Sequence, residues 1–211
     1  MTELIAALAA LGLSHWLPSS PRLRPVLTGA LGTRGFHIAY SMLSLAVVAW
    51  LIAAYGRAAG SGWLWLPPLW ARWAIVLGMP VALWLVLARL MTRPGEEPAG
   101  IYRLTAAPGS VGILLWALLH LLNAGQSRAV ALFAAFAVIA LAAAVKNLRT
   151  APRARRKAGL LPSLAILRGR MAFARRDVDW RPAALALALW AGLLTLHPMV
   201  IGPDPLAGLL N

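Results

Sequence analysis

Six apolar segments constrain the fold of this chain more than any other feature, because turn-forming residues separate them and most approach the length of a membrane span. They cover residues 3–17, 38–55, 69–90, 108–124, 129–145 and 182–201. A helix of about 20 apolar residues crosses the ~30 Å hydrocarbon core of a bilayer. We therefore predict an all-α fold, a polytopic membrane helix bundle with about six transmembrane helices, in a single domain over residues 1–211.

The composition supports the membrane class and excludes several kinds of site. Apolar residues make up 61% of the chain and charged residues 12%, whereas soluble domains contain about 45–50% and about 25%. The chain has no cysteine, which excludes disulfides, thiolate haem ligation and cysteine-bound iron–sulfur clusters. The first segment carries Glu3 and lacks the basic start of a secretory signal, so we expect a membrane span there rather than a cleaved leader.

The distribution of lysine and arginine predicts the orientation in the membrane. Of the 20 basic residues, the connections after spans one, three and five hold three, three and eleven. Because basic loops stay cytoplasmic, we predict a multi-pass protein of the bacterial inner (plasma) membrane with both termini in the periplasm. Topology and anionic lipid thus explain the net charge of +14. The basic residues are spread over three loops without interleaved aromatic residues, which argues against nucleic-acid binding.

The connection over residues 146–181 is the most basic part of the chain. Leu160, Leu164, Leu167 and Met171 recur at helical spacing among arginines. This pattern predicts an amphipathic helix that lies in the plane of the membrane interface and contacts anionic lipids. The alternative is a segment that caps the cytoplasmic mouth of the bundle.

Three histidines, His15, His120 and His197, fall inside apolar segments, whereas the six acidic residues lie at segment ends or between segments. Ionisable side chains inside a bilayer are costly, which makes them functional candidates, and imidazole is a common ligand of haem iron and transition metals. A rise of 1.5 Å per residue places all three in the middle to outer half of the membrane. We expect His37 at the cytoplasmic mouth of the second span, too shallow to join them.

A structural role is the alternative for each of these histidines, through a hydrogen bond to a backbone carbonyl or a neighbouring polar side chain. Three histidines at compatible depths favour a shared site over three separate structural roles. A metal without a cofactor is the weaker hypothesis, because the apolar segments contain no carboxylate to complete the ligand set.

Several stretches, spread in order over nearly the whole chain, resemble the NnrU family of six-helix membrane proteins. Besides His15 and His197, the matching features are LGTRGFHIAYSMLSL over 31–45, LWLPPLW over 64–70, LLWALLHLLNAG over 114–125, PSLAILRGR over 162–170 and LHPMVIGPDPL over 196–206. The family name reflects an association with nitrogen-oxide respiration. The same domain resembles the plant and cyanobacterial 15-cis-zeta-carotene isomerase, an integral membrane protein that uses haem b with histidine ligation.

The resemblance implies haem b as a cofactor, held through metal ligation by His15 and His120 between the first and fourth spans. His120 and His197 are the alternative ligand pair. An isomerase-like activity on an apolar polyene follows from the same resemblance, and a non-enzymatic accessory role in nitrogen-oxide (denitrification) metabolism is the rival function. A small-solute transporter ranks lowest, because the spans contain no carboxylate for proton coupling and no inverted repeat.

The chain departs from the family pattern at the start of the fourth span. Family members usually carry a basic residue and a histidine before the proline that opens this helix, whereas this chain has Ala106 and Ala107 before Pro108. The resemblance therefore does not extend to a histidine at residue 107.

Overall fold

The computed structural model describes residues 1–16, 20, 22–95, 99–160, 179–207 and 209. Over these residues the chain forms helices and no strand, which confirms the all-α fold. The helices are α1 Thr2–Trp16, α2 Leu23–Arg57, α3 Leu69–Met91, α4 Ile101–Leu104, α5 Pro108–Asn123, α6 Ser127–Thr150, α7 Arg153–Arg156 and α8 Trp180–Val200. The amphipathic helix expected around Leu164 to Met171 lies outside the described residues.

Each of the six apolar segments is helical, but the helices differ in their capacity to cross a bilayer. By length and composition, four of the described helices can span a membrane: α2, α3, α6 and α8. With 15 and 16 residues, α1 and α5 measure about 22 Å and about 24 Å, less than the ~30 Å hydrocarbon core. The structure thus supports a polytopic membrane protein, while the count of about six spans is not confirmed.

Helix α2 begins earlier than the apolar pattern predicts. It runs for 35 residues from Leu23 and contains a kink at Gly32, where φ is 68° and ψ is 164°. Glycine adopts this positive φ without the steric penalty that a Cβ brings. The predicted apolar segment from residue 38 lies within the part of α2 that follows this kink, and the helix itself begins earlier, at Leu23. His37 lies five residues after Gly32, and its depth in the membrane stays a prediction.

The described chain divides into two compact units. The first comprises Met1–Trp65 and Gln126–Ala135, and the second comprises Leu66–Gly125 and Phe136–Asn211. Helices α1 and α2 therefore belong to the first unit, and α3, α4, α5, α7 and α8 to the second, while α6 contributes residues to both. The single-domain organisation stays a prediction.

In the first unit, the start of α1 is tied to the end of α2. The Glu3 carboxylate accepts hydrogen bonds from the Arg57 guanidinium, with Nε at 2.8 Å from Oε2, and from Trp50 Nε1 at 3.1 Å. Near the same end of α2, the Arg128 guanidinium lies 4.7 Å from the centroid of the Tyr55 ring. Hydrogen bonds and an ion pair thus hold the start of α1 against the end of α2.

In the second unit, α3 packs against both α5 and α8. A Cβ at Gly112 of α5 would lie 2.8 Å from the Ala82 carbonyl oxygen, so the two helix backbones approach closely, as small residues permit in membrane proteins. Helix α8 is fixed by the hydrogen bond from Trp190 Nε1 to the Val76 carbonyl at 3.0 Å. Helix α3 therefore positions the two helices that carry His120 and His197.

The short helix α4 fixes the start of α5. Tyr102 and its neighbours in α4 are buried against Leu85 and Ala88 of α3. The Thr105 side chain, fully buried, donates to the Leu160 carbonyl at 2.9 Å. The packing of α4 against α3 and the Thr105 hydrogen bond thus fix the chain immediately before α5 begins.

Candidate functional site

His120 lies in the last turn of α5 and is half-buried. Its Nδ1 is 2.8 Å from the Trp116 carbonyl oxygen, and the ring centroids of the two residues are 5.0 Å apart. The Trp116 ring in turn meets Phe136 edge-on at 5.3 Å. A carbonyl can only accept, so this hydrogen bond places the proton on Nδ1 and the lone pair on Nε2, the arrangement common in metal-binding histidines.

His197 repeats this arrangement at the end of α8. Its Nδ1 is 2.6 Å from the Pro203 carbonyl oxygen. The chain turns back to reach the imidazole at Gly202, whose φ of 106° favours glycine and whose N–H donates to the His197 carbonyl at 3.0 Å. The lone pair of His197 therefore also lies on Nε2.

His120 and His197 both lie in the second unit. Their helices, α5 and α8, both pack against α3. Two imidazoles, each oriented through Nδ1 by a backbone carbonyl, are of the residue type that would hold a haem iron. These two residues are the alternative ligand pair of the sequence analysis, and ligation by them stays a prediction.

His15 and His37 belong to the first unit, and both are exposed. His15 lies in the last turn of α1, next to Ser14, whose hydroxyl donates to the Leu11 carbonyl at 2.9 Å. The centroid of the His37 ring is 5.7 Å from that of Phe36. Ligation by His15 stays a prediction.

No group of three or more histidine, cysteine, aspartate or glutamate side chains is arranged for a metal ion within the described residues. This observation concerns sites made by protein ligands alone. In haem the porphyrin supplies four nitrogen ligands, so two imidazoles complete the coordination of the iron.

Sequence reasoning missed a cavity of about 380 Å³ in the second unit, where α5 begins. Ala107, where the family pattern departs, is buried in its wall and is the N-cap of α5. Arg89, Tyr102 and Arg155 also line it. These residues are far apart in the sequence and form no motif. The local signal for the helix start in the cavity wall is Pro108 at the first helical position, with no capping side chain before it.

Four of the described helices are long and apolar enough to cross a bilayer. Helices of this kind are typical of an α-helical integral membrane protein. The chain belongs to the NnrU family: the family model described as NnrU protein matches residues 3–205, nearly the whole chain. This match confirms the family resemblance. No curated protein and no solved structure matches the chain.

Proposed function

We propose that this NnrU-family membrane protein binds haem b, with His120 as one axial ligand and a second histidine as the other. The observation that carries the proposal is the common geometry of His120 and His197, each with Nδ1 directed to a backbone carbonyl at 2.8 Å and 2.6 Å. Their location on two helices that both pack against α3 supports the pairing of these two residues. The pair of His15 and His120 is the alternative that the mutations below distinguish.

The residues around His120 contribute orientation and an apolar environment. The hydrogen bond to the Trp116 carbonyl fixes the tautomer and the rotation of the imidazole, and a hydrogen bond at Nδ1 raises the basicity of Nε2. Asn123, one turn further on, donates to the Ala71 carbonyl at 2.7 Å and thereby holds the end of α5 on α3. When bound, haem b supplies a redox-active or Lewis-acid iron.

An isomerase-like activity on an apolar polyene is the enzymatic function that we propose for this site. Its support is the resemblance described above and the apolar surface of the helices, which suits a substrate that enters from lipid. The bilayer would then serve as both the solvent of the protein and the source of its substrate.

The test is an absorption spectrum of the full-length protein, expressed with ample haem and purified in detergent, with pyridine haemochrome quantitation. We expect a Soret band that shifts or disappears in His120→Ala under either pairing. His197→Ala removes it only if His197 is the second ligand, and His15→Ala only if His15 is. His37→Ala is the matched control and leaves the spectrum unchanged. A wild-type protein that purifies without haem would refute the proposal and favour the accessory role in nitrogen-oxide metabolism.

A further inference from the structure

The cavity at the start of α5 has the size of a small-molecule site and a polar lining. Its volume is about 380 Å³, within the range of about 300–1,000 Å³ typical of ligand pockets. The walls come from the ends of α3 and α6, the first turn of α5, and the short helices α4 and α7. The polar side chains in the lining are Arg89, Tyr102, Ser110, Asn147, Thr150 and Arg155.

The lining carries two positive charges and, among the described residues, no negative charge. Arg89 reaches the cavity along the first turn of α5, because Gly109 leaves room for its stem: a Cβ at Gly109 would lie 2.9 Å from Arg89 Cγ. The Arg155 guanidinium enters from α7 and lies 5.4 Å from the centroid of the Tyr102 ring. Paired arginines suit oxyanions, because the guanidinium presents several donors in one plane.

The first turn of α5 adds backbone donors to the same cavity. The N-cap is Ala107, so no side chain caps the helix, and Pro108 has no N–H. The Val111 N–H bonds to the Ala107 carbonyl at 2.9 Å, which leaves the N–H groups of Gly109 and Ser110 without an intrahelical acceptor. A helix start of this kind, in a helix of 16 residues, attracts negative charge.

An independent observation, the Tyr102 hydroxyl, indicates that a ligand belongs in the cavity. Tyr102 is only 3% exposed, and its hydroxyl is a buried group without a hydrogen-bond partner, as is Nε of Arg155. Burial raises the pKa of Tyr102 despite the opposing charges of Arg89 and Arg155, so the phenol is neutral and can donate. Buried donors are normally satisfied in folded proteins, and an oxyanion in the cavity would satisfy both.

We propose that this cavity binds a phosphate group, held by Arg89, Arg155 and the Tyr102 hydroxyl at the N-terminus of α5. A lipid headgroup and a soluble phosphate present the same oxyanion. Either one suits the basic end of these helices, which is predicted to be cytoplasmic. The site is separate from the histidines, because His120 lies twelve residues beyond Pro108, about 18 Å along α5.

The test measures ligand-induced thermal stabilisation of the full-length protein in a neutral detergent. The probes are inorganic phosphate, dihexanoyl phosphatidylglycerol, and dihexanoyl phosphatidylcholine as the zwitterionic comparison. We expect saturable stabilisation by at least one of the first two probes, which identifies a soluble phosphate or an anionic headgroup as the source. Arg89→Gln and Arg155→Gln should each weaken the apparent affinity by about tenfold or more, because each removes hydrogen bonds to a charged group.

Two further variants separate binding from folding and from general charge. Tyr102→Phe removes a hydroxyl without a protein partner, so the ligand-free protein should melt at or above the wild-type temperature while its affinity for phosphate falls. Arg149→Gln removes a charge at the exposed end of α6, outside the cavity lining, and should change the affinity by less than about twofold.

The proposal is overturned if neither anionic probe stabilises the wild-type protein, or if Arg149→Gln weakens binding as much as Arg89→Gln does.

Discussion

Replacing Gly112 by alanine tests how closely α3 and α5 must approach to form the second unit. The added Cβ would lie 2.8 Å from the Ala82 carbonyl oxygen, 2.9 Å from Val86 Cγ2 and 3.0 Å from Leu85 Cβ. An ordinary contact begins at 3.4 Å, so against the 2.8 Å contact the helices must separate by about 0.6 Å. The closest atom belongs to the backbone and cannot rotate away, so the strain falls on the helix interface itself.

The expected cost follows from two opposing effects. Overpacking of a close interface costs about 1–3 kcal/mol, and alanine in place of glycine returns at most about 1 kcal/mol of helix propensity. With the full helix-propensity return, we therefore expect Gly112→Ala to lower the free energy of unfolding by up to about 2 kcal/mol. Titration of the protein in mixed micelles with a denaturing detergent, followed by circular dichroism, measures this difference.

Two other glycines of the second unit provide matched controls. Gly192 of α8 has no atom within 4 Å of an added Cβ, so Gly192→Ala should leave stability unchanged or raise it by up to about 1 kcal/mol. At Gly78 the nearest atom is Leu119 Cδ1 at 2.7 Å, the end of a flexible side chain, so Gly78→Ala should cost less than Gly112→Ala. A Gly112→Ala protein more stable than the wild type, or a Gly78→Ala protein less stable than Gly112→Ala, would refute the close α3–α5 packing.

Three further predictions concern the first unit and the membrane topology. Glu3→Gln and Arg57→Gln should each lower the thermal stability, because each breaks the ion pair between α1 and α2, and the reversed pair Glu3→Arg/Arg57→Glu should recover part of the loss; additive losses in the double variant would contradict the pairing. A periplasm-active reporter fused to the C-terminus should be active and the same reporter inserted in residues 146–181 inactive; activity in the opposite places would contradict the predicted orientation. A synthetic peptide of residues 160–176 should gain helicity on anionic vesicles and release at high salt, since each basic residue near such a surface contributes about 1 kcal/mol; salt-independent binding would count against an electrostatic contact.

The sequence alone determined the class of protein and the existence of the helices. Apolar runs separated by glycine and proline are sufficient for this, because hydrocarbon requires every backbone polar group to be satisfied within its own helix. The same reasoning selected His15, His120 and His197 as candidates, since each is an imidazole in an apolar segment. The hydrogen bond from His120 to the carbonyl of Trp116 is also local, four residues back along one helix.

Only the tertiary structure decided what lies beyond these local patterns. The start of α2 at Leu23 was missed because residues 23–37 mix polar and apolar side chains and therefore contain no apolar run that marks a helix. The presence of His120 and His197 in one unit depends on α3 packing against both of their helices, and no sequence period encodes that packing. The cavity joins Arg89, Tyr102 and Arg155 from three separate helices, which side-chain contacts between distant segments bring together. Local patterns thus report the solvent that each segment prefers, while the site depends on which segments meet.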